Sequence, residues 1–320
     1  MSTRKNFFDF FPPPAFLEMP SVGFSVSDTA LRFVELHRKS DSFVLGNYAE
    51  RPIPTGAVDA GYVHKPEEIV NIIKAIKQEY GLSYVKATLP EEKAFVYRTQ
   101  IPLVSADELR GSVEFTLAEN IPVEPADTVF DFSVIPTEQP ADHIEVAVSA
   151  VPNKVIETYL ALFTDAGLTV TEFELESQAI ARSVIAPHDP TPHLIVNLER
   201  LKTGFYIAIG DSVQFTSTMS ITAESLQELG DEISKIYWHA HGEKKEKGTV
   251  KIGKIILCGE GATRVGIKEF ITAHVGIPTE VANVWLNAFS LDTYIPDITR
   301  DESLGFAAAV GLALPSRHDA

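Results

Sequence analysis

Only one cysteine, Cys258, occurs in the 320 residues, so the chain can form no internal disulfide and no cysteine-rich zinc site; a reducing compartment follows most simply. Basic residues are scarce: 27 Lys and Arg stand against 44 Asp and Glu, a formal charge of -17. That balance repels nucleic-acid backbones and anionic lipid and favours a basic partner segment. No run approaches the about 20 consecutive apolar residues that a membrane-spanning helix needs. The opening stretch MSTRKNFFDFFPPPAFLEMP is broken by Asp9 and by Pro12, Pro13 and Pro14, and so lacks the apolar core of a signal peptide. G-x-S-x-G, G-x-x-x-x-G-K-[ST] and G-x-G-x-x-G are missing, which leaves serine-hydrolase, P-loop and Rossmann chemistry without support. His239 and His241 have no carboxylate or cysteine at metal-ligand spacing, and no metal site is expected.

What is present is an ordinary globular composition, 45% hydrophobic and 22% charged, long enough for two domains or one composite one. Residues 1–19 read as an extended arm whose Phe7, Phe8, Phe10 and Phe11 either dock on a partner or membrane surface or fold back on this protein. SVGFSVS, ALRFVELH and SFVLGNYAERPI then alternate like strands separated by Asp, Ser and Thr turns, an antiparallel meander. KPEEIVNIIKAIKQEYG places Ile69, Ile72, Ile73 and Ile76 at helical spacing and ends on Gly81. From Val85 to Thr169 the order strand, helix, strands, helix reads as a self-contained α+β insertion, with Ser105 and Glu108 as a capping box.

Residues 193–220 repeat the opening theme of strand, polar turn, strand, Gly-Asp turn and strand, which points to an internal duplication. A helix carrying Leu226, Leu229, Ile233 and Ile236 follows, then the charged stretch HGEKKEKGTVKIG, read as a solvated hairpin or linker. After a strand, a glycine turn and a helix, the chain closes with DESLGFAAAVGLAL, a small-residue helix suited to close packing.

Two facing strand-turn-strand units and a glycine turn between strand and helix could cradle a nucleotide, the turns offering N–H donors to phosphates and the glycines admitting a purine. Five segments, VGFSVSDTALRFVEL, ELESQAIARSVI, LIVNLERLKTGFYIAIGDSVQFTSTMSI, IILCGEGATRVGIKEFITAHVGIPTEVAN and SLGFAAAVGLAL, stand in an order that resembles the type IV pilus assembly protein PilM family of the actin-like ATPase superfamily, itself similar to FtsA. In that family they are the phosphate-1 hairpin, the first connecting helix, the phosphate-2 hairpin, the adenosine motif and the second connecting helix.

The resemblance implies an α/β, actin-like (ribonuclease H-like) two-lobed ATPase fold with an inserted α+β 1C module. The expected divisions are 20–85 (subdomain 1A, first part), 86–168 (1C), 169–190 (connecting helix of 1A), 191–220 (2A, first part), 221–252 (2B), 253–300 (2A, second part) and 301–320 (connecting helix). It also implies nucleotide contacts at Gly23, Ser25, Ser27, Asp28, Thr29 and Arg32, at Asn197, Glu199, Lys202, Thr203 and Gly204, and at Gly259, Gly261 and Ala262, with ATP and Mg²⁺ as cofactor. Glu176 matches the water-polarising glutamate, and reads equally as a plain helix carboxylate.

The departures bear on mechanism. The family's phosphate-1 aspartate and glycine are Ser25 and Ser27 here, and the phosphate-2 D-I-G is Asn197, Leu198 and Glu199. Two carboxylates that would hold Mg²⁺ are therefore gone and a negative charge has been added beside a polyanion. Asp28 either replaces one of them or is a turn residue; Gly259 and Gly261 serve either the adenosine or turn geometry alone. The expectation is a cytoplasmic pilus or secretion assembly protein with a degenerate ATP cleft. It would bind the basic, extended N-terminal tail of a PilN-like membrane protein between 1A and 1C, sit at the inner face of the membrane through partners that include other pilus proteins, and be open to self-association. The alternatives are an active ATPase or sugar-kinase relative, against which Ser25 and Asn197 speak, and an FtsA-like filament protein, which would need an amphipathic helix beyond Leu314.

Overall fold

The computed structural model describes residues 21–39, 42–135, 142–210, 212–241 and 250–316. The Phe-rich arm, Asp211 of the Gly-Asp turn and most of the charged stretch after His241 lie outside the described residues.

The meander forms as its alternation predicts. Strands β1 (Ser21–Val26), β2 (Ala30–Lys39) and β3 (Ser42–Pro52) pair antiparallel, with Ser25 opposite Arg32 and Arg32 opposite Glu50. A minimal hairpin, β4 (Val58–Asp59) and β5 (Tyr62–Val63), leads to helix α1 (Pro66–Tyr80). Pro66 sits where a missing N–H costs nothing, Glu67 and Glu68 face the positive helix end, and Gly81 closes the helix at φ 70°, its N–H bonding the Lys77 carbonyl. Ile69, Val70, Ile73 and Ile76 form the buried stripe. Strand β6 (Tyr84–Leu89) then lies parallel to β1.

β7 (Phe95–Pro102), α2 (Leu109–Asn120), β8 (Thr128–Ile135) and β9 (His143–Pro152) make a separate three-stranded sheet in the order β7-β9-β8. It has a small core of its own, with Ile101, Val113, Leu117, Phe130, Val146 and Val148. The Glu108 carboxylate reaches back to the Ser105 N–H at 3.1 Å and to its hydroxyl at 2.7 Å. Helix α3 (Asn153–Asp165) returns to the first core, where Phe163 meets Phe24 edge-on at 5.4 Å. The sequence expectation of a module over 86–168 is thus divided by the packing. β6 and α3 belong to the first lobe, and the separate core draws on residues between 95 and 152.

Strand β10 (Thr169–Leu175), which the sequence reading had merged into a connecting helix, adds to the edge of the first sheet beside β6, and helix α4 (Glu176–Val184) follows it directly. The second lobe repeats the plan with β11 (Pro192–Leu198), β12 (Thr203–Ile209), β13 (Ser212–Met219), helix α5 (Leu226–His241), β14 (Lys254–Cys258), helix α6 (Ile267–Val275) and β15 (Thr279–Val281). Its strand order, β13-β12-β11-β14-β15, is that of β3-β2-β1-β6-β10. The internal duplication is therefore structural. After a helical turn at Arg300–Ser303, helix α7 (Ala307–Ala313) is buried on every side. Its small residues let it lie backbone-close on β1 at Gly23 and on α4 at Gly311.

Candidate functional site

In both sheets the parallel strands point their C-terminal ends at the space between the lobes, the place where α/β sheets take ligands. Ser25, Ser27, Arg32, Glu176, Asn197, Glu199 and Gly259 line that cleft, together with Glu260, Leu304, Gly305, Ala307 and Ala308. Its free volume is about 10 Å³, room for a single water, whereas small-molecule pockets run to roughly 300–1,000 Å³.

Ion pairs close it. Arg32, buried on β2, holds Glu50 of the neighbouring strand at 2.7 Å and reaches across to Glu260 of the second lobe, which also accepts from Arg200 at 3.1 Å. Gly305 makes this approach possible: a Cβ there would lie 3.3 Å from the Arg32 guanidinium. From the other side Lys202, in the turn after β11, pairs with Asp28 at 3.2 Å and with Glu92, both of the first lobe. The Asn197 side-chain amide stands between Glu199 at 3.3 Å and Glu176 at 3.5 Å, donating to both.

Acids outnumber bases around Lys202. Burial alone would lower the pKa of its ammonium, but the carboxylates of Glu199, Glu92, Glu176 and Asp28 outweigh that and raise it, so it is a permanent cation. Burial raises Glu176 to about 7, with Lys202 opposing and Glu92 and Glu91 adding to the rise. Glu199 is pushed up by burial and then by Glu176. A half-ionised Glu176 could orient a nucleophile, but the space in front of it is filled.

Of the remaining expected contact residues Gly259 lines the cleft, and the others serve the packing around it. Gly23 faces away from the cleft: a Cβ on it would stand 2.0 Å from the Ala309 carbonyl oxygen of α7. Thr29 accepts the Ile53 N–H through its backbone carbonyl at 2.9 Å. Thr203 is buried and donates its hydroxyl to the Ile221 carbonyl at 2.6 Å. Gly204 makes room for the Tyr206 hydroxyl, 2.1 Å from its absent Cβ. Gly261 packs on Leu198 and Ala223, and Ala262 is part of the second core. Gly259 lines the cleft, but its φ of 80° and the Leu198 carbonyl 2.5 Å from its absent Cβ require glycine for backbone reasons. Glu50, Glu92, Arg200 and Glu260, which complete the ion pairs, carry no local motif in the sequence and were not foreseen.

The donor set does not fit Mg-ATP. Among the described residues no three His, Cys, Asp or Glu side chains converge to hold a metal ion, since a lysine occupies the middle of the acids. A nucleotide polyphosphate would meet Glu176, Glu199, Asp28 and Glu92, and would have to break Arg32 and Lys202 away from partners they already satisfy.

A second, open site lies between the first lobe and the small module. A cavity of about 450 Å³ is walled by Leu89, Val151, Ile156, Phe173 and Leu175 on one side and by Val129 and Phe130 on the other, with Gln178, Glu174 and Arg182 at its polar margin. Arg182 is pinned there by Glu174 at 2.7 Å and by the Gly311 carbonyl at 3.0 Å. The two strands that border it, β10 and β8, are each the outermost of their sheets among the described residues. Such strands leave backbone N–H and C=O groups open to an added chain.

Comparison with known proteins agrees with this architecture. A solved PilM-PilN type IV pilus biogenesis complex matches with a TM-score of 0.76 at 19% identity, over 92% of this chain and 98% of that one. The ethanolamine utilization protein EutJ from Carboxydothermus hydrogenoformans follows at 0.53 and 11% identity, over 94% and 90%. The inorganic polyphosphate/ATP-glucomannokinase from Arthrobacter sp. strain KM matches at 0.50 and 12%, over 92% and 97%. At these identities the likeness is one of fold, the two-lobed actin-like architecture. The family model described as type IV pilus assembly protein PilM matches residues 23–199, more than half of the chain, and the protein therefore belongs to the PilM family of type IV pilus assembly proteins.

Proposed function

We propose that this protein is an assembly adaptor that captures the cytoplasmic N-terminal tail of a PilN-like membrane protein in the groove between β10 and β8. The observation that carries the reading is the groove itself: an apolar trough of about 450 Å³ flanked by two strands that are each outermost in their sheets among the described residues. An extended peptide entering it can bond its backbone to an edge while alternate side chains fill the apolar wall, the geometry of strand addition. The formal charge of -17 favours a basic tail and speeds encounter. The PilN of the matching solved complex supplies the partner class. Membrane attachment then comes through the partner, since among the described residues no helix is long and apolar enough to cross a bilayer. Other pilus proteins and further copies of this chain would join the same inner-membrane complex. Peptide capture needs neither hydrolysis nor an open cleft, so Mg-ATP has no part in this reading.

The test is calorimetric titration of the protein with a synthetic N-terminal peptide of a PilN-type partner, beside Val129→Lys, whose added cation would repel a basic tail. Val129 is 52% exposed on the edge strand β8, so the substitution leaves the core intact while placing an unpaired charge in the groove wall. Binding by the wild type and a loss of about tenfold or more in the variant, equivalent to about 1.4 kcal/mol, is expected. Equal affinities would move the peptide away from this groove.

A further inference from the structure

We propose that the interlobe cleft is not a Mg-nucleotide site but a clasp, in which two cations of the chain itself, Lys202 and Arg32, hold the lobes shut. The two crossings run in opposite directions. Lys202 belongs to the second lobe and binds Asp28 and Glu92 of the first, while Arg32 belongs to the first and binds Glu260 of the second. Opposed donors of this kind close the cleft from both walls.

The pairs are largely withdrawn from water. Side-chain exposure is 12% for Lys202, 11% for Asp28 and 13% for Glu92; in the other crossing it is 6% for Arg32 and 31% for Glu260, so the lysine pairs are the more buried. At such burial an ion pair keeps most of its attraction, and removing one partner leaves the other as an uncompensated buried charge. Glu176 and Glu199 stand on either side of the Asn197 amide beside these pairs.

Chemically, the lysine ammonium stands in the midst of the carboxylates as a covalently attached cation, and Arg32 occupies the side of the cleft where a polyphosphate would look for a positive charge. A bound nucleotide can dissociate or be hydrolysed; these cations cannot. Closure is therefore set by the chain itself rather than by nucleotide level. The replacement of two family acids by Ser25 and Asn197 has the same sense, because a site with its own cation has no use for carboxylates that hold Mg²⁺.

The experiment uses the full chain and is independent of the peptide groove. Thermal melting is followed with and without millimolar MgATP, and small-angle scattering is recorded across a salt series for the wild type, Lys202→Met and Glu92→Gln. Expected is an unchanged melting midpoint with MgATP, where a site filled hundredfold over its Kd would raise it by about 4 °C. Also expected are a larger radius of gyration for both variants and a wild-type radius that holds across the salt series, because its buried pairs are poorly screened. A MgATP-induced rise of the wild-type midpoint overturns the first half of the proposal. Variants with the wild-type radius throughout the series overturn the second. Glu92→Gln removes one charge and little volume, so the comparison holds even where Lys202→Met does not fold.

Discussion

Gly311→Ala is expected to remove most of the folded protein. The alanine Cβ would stand 1.7 Å from the Ala179 carbonyl oxygen and 2.4 Å from its carbon, distances at which one backbone must move. Neither can move freely, because α7 is buried on all sides and α4 bears Arg182, whose guanidinium is fixed to Glu174 and to the Gly311 carbonyl. Overpacking that a side chain can absorb costs about 1–3 kcal/mol; a helix-to-helix backbone clash should exceed that, a large part of the roughly 5–15 kcal/mol that holds a domain together. Gly23→Ala meets the Ala309 oxygen at 2.0 Å on the other side of the same helix and should fail for the same reason. The control is Gly111→Ala in α2, where a Cβ meets nothing within 4 Å; losing a mid-helix glycine there should stabilise by about 0.5–1 kcal/mol. Denaturant midpoints and soluble yield decide the matter. A Gly311→Ala protein as stable as the wild type would mean that α7 does not lie against α4 as described.

That contrast shows what a local reading of glycine can and cannot give. Gly23 sits in a segment whose pattern matches a phosphate hairpin, and the strand-turn-strand it belongs to is there in the fold. Which face of the strand a neighbour approaches is decided by helix α7, whose Ala309 lies 286 residues later in the chain, and no local pattern contains that information. The meander, the helix over Pro66–Tyr80 and the repeated second lobe were legible because period, capping and turn chemistry act over a few residues. Strand β10 was missed because TVTEFEL carries two glutamates and precedes a helix without a break; its identity comes from pairing with β6, across the whole inserted module.

The same distinction divides the site. Ser25, Ser27, Arg32, Asn197, Glu199 and Glu176 were named from motif positions and do line the cleft. Their partners were invisible. The Lys202–Glu92 pair spans 110 residues and the Arg32–Glu260 pair 228, and single acidic residues in a chain with 44 of them offer no pattern to follow. The loss of Ser25 and Asn197 as acids was readable, whereas the gain of a lysine clasp required the fold.

Between about pH 8 and pH 5 acid is expected to strengthen this protein through Glu91, opposed by His193, whose pKa burial lowers. It lies in the 3-10 turn Glu91–Lys93, 4% exposed, and its carboxylate accepts the Ser177 N–H and hydroxyl, each at 3.0 Å, at the start of α4. Burial raises it from 4.5 to about 7, although the Ser177 and Thr216 hydrogen bonds pull the other way. The folded chain therefore holds a proton that the unfolded chain has released anywhere between those two values. The resulting stabilisation is fully present below about pH 4.5 and is lost as the pH rises through about 7. A rise of that size corresponds to roughly 3 kcal/mol, and Glu176, raised to about 7 mainly by burial, works in the same direction. Glu91→Gln keeps a carbonyl acceptor for the Ser177 N–H and an amide donor for its hydroxyl, but it has no proton to lose. Denaturation midpoints measured from pH 5 to pH 8 should fall steeply for the wild type and less so for the variant, the two converging at the acid end. Parallel profiles would show that Glu91 stays ionised in the folded protein, stabilised by the end of α4 more strongly than burial opposes it.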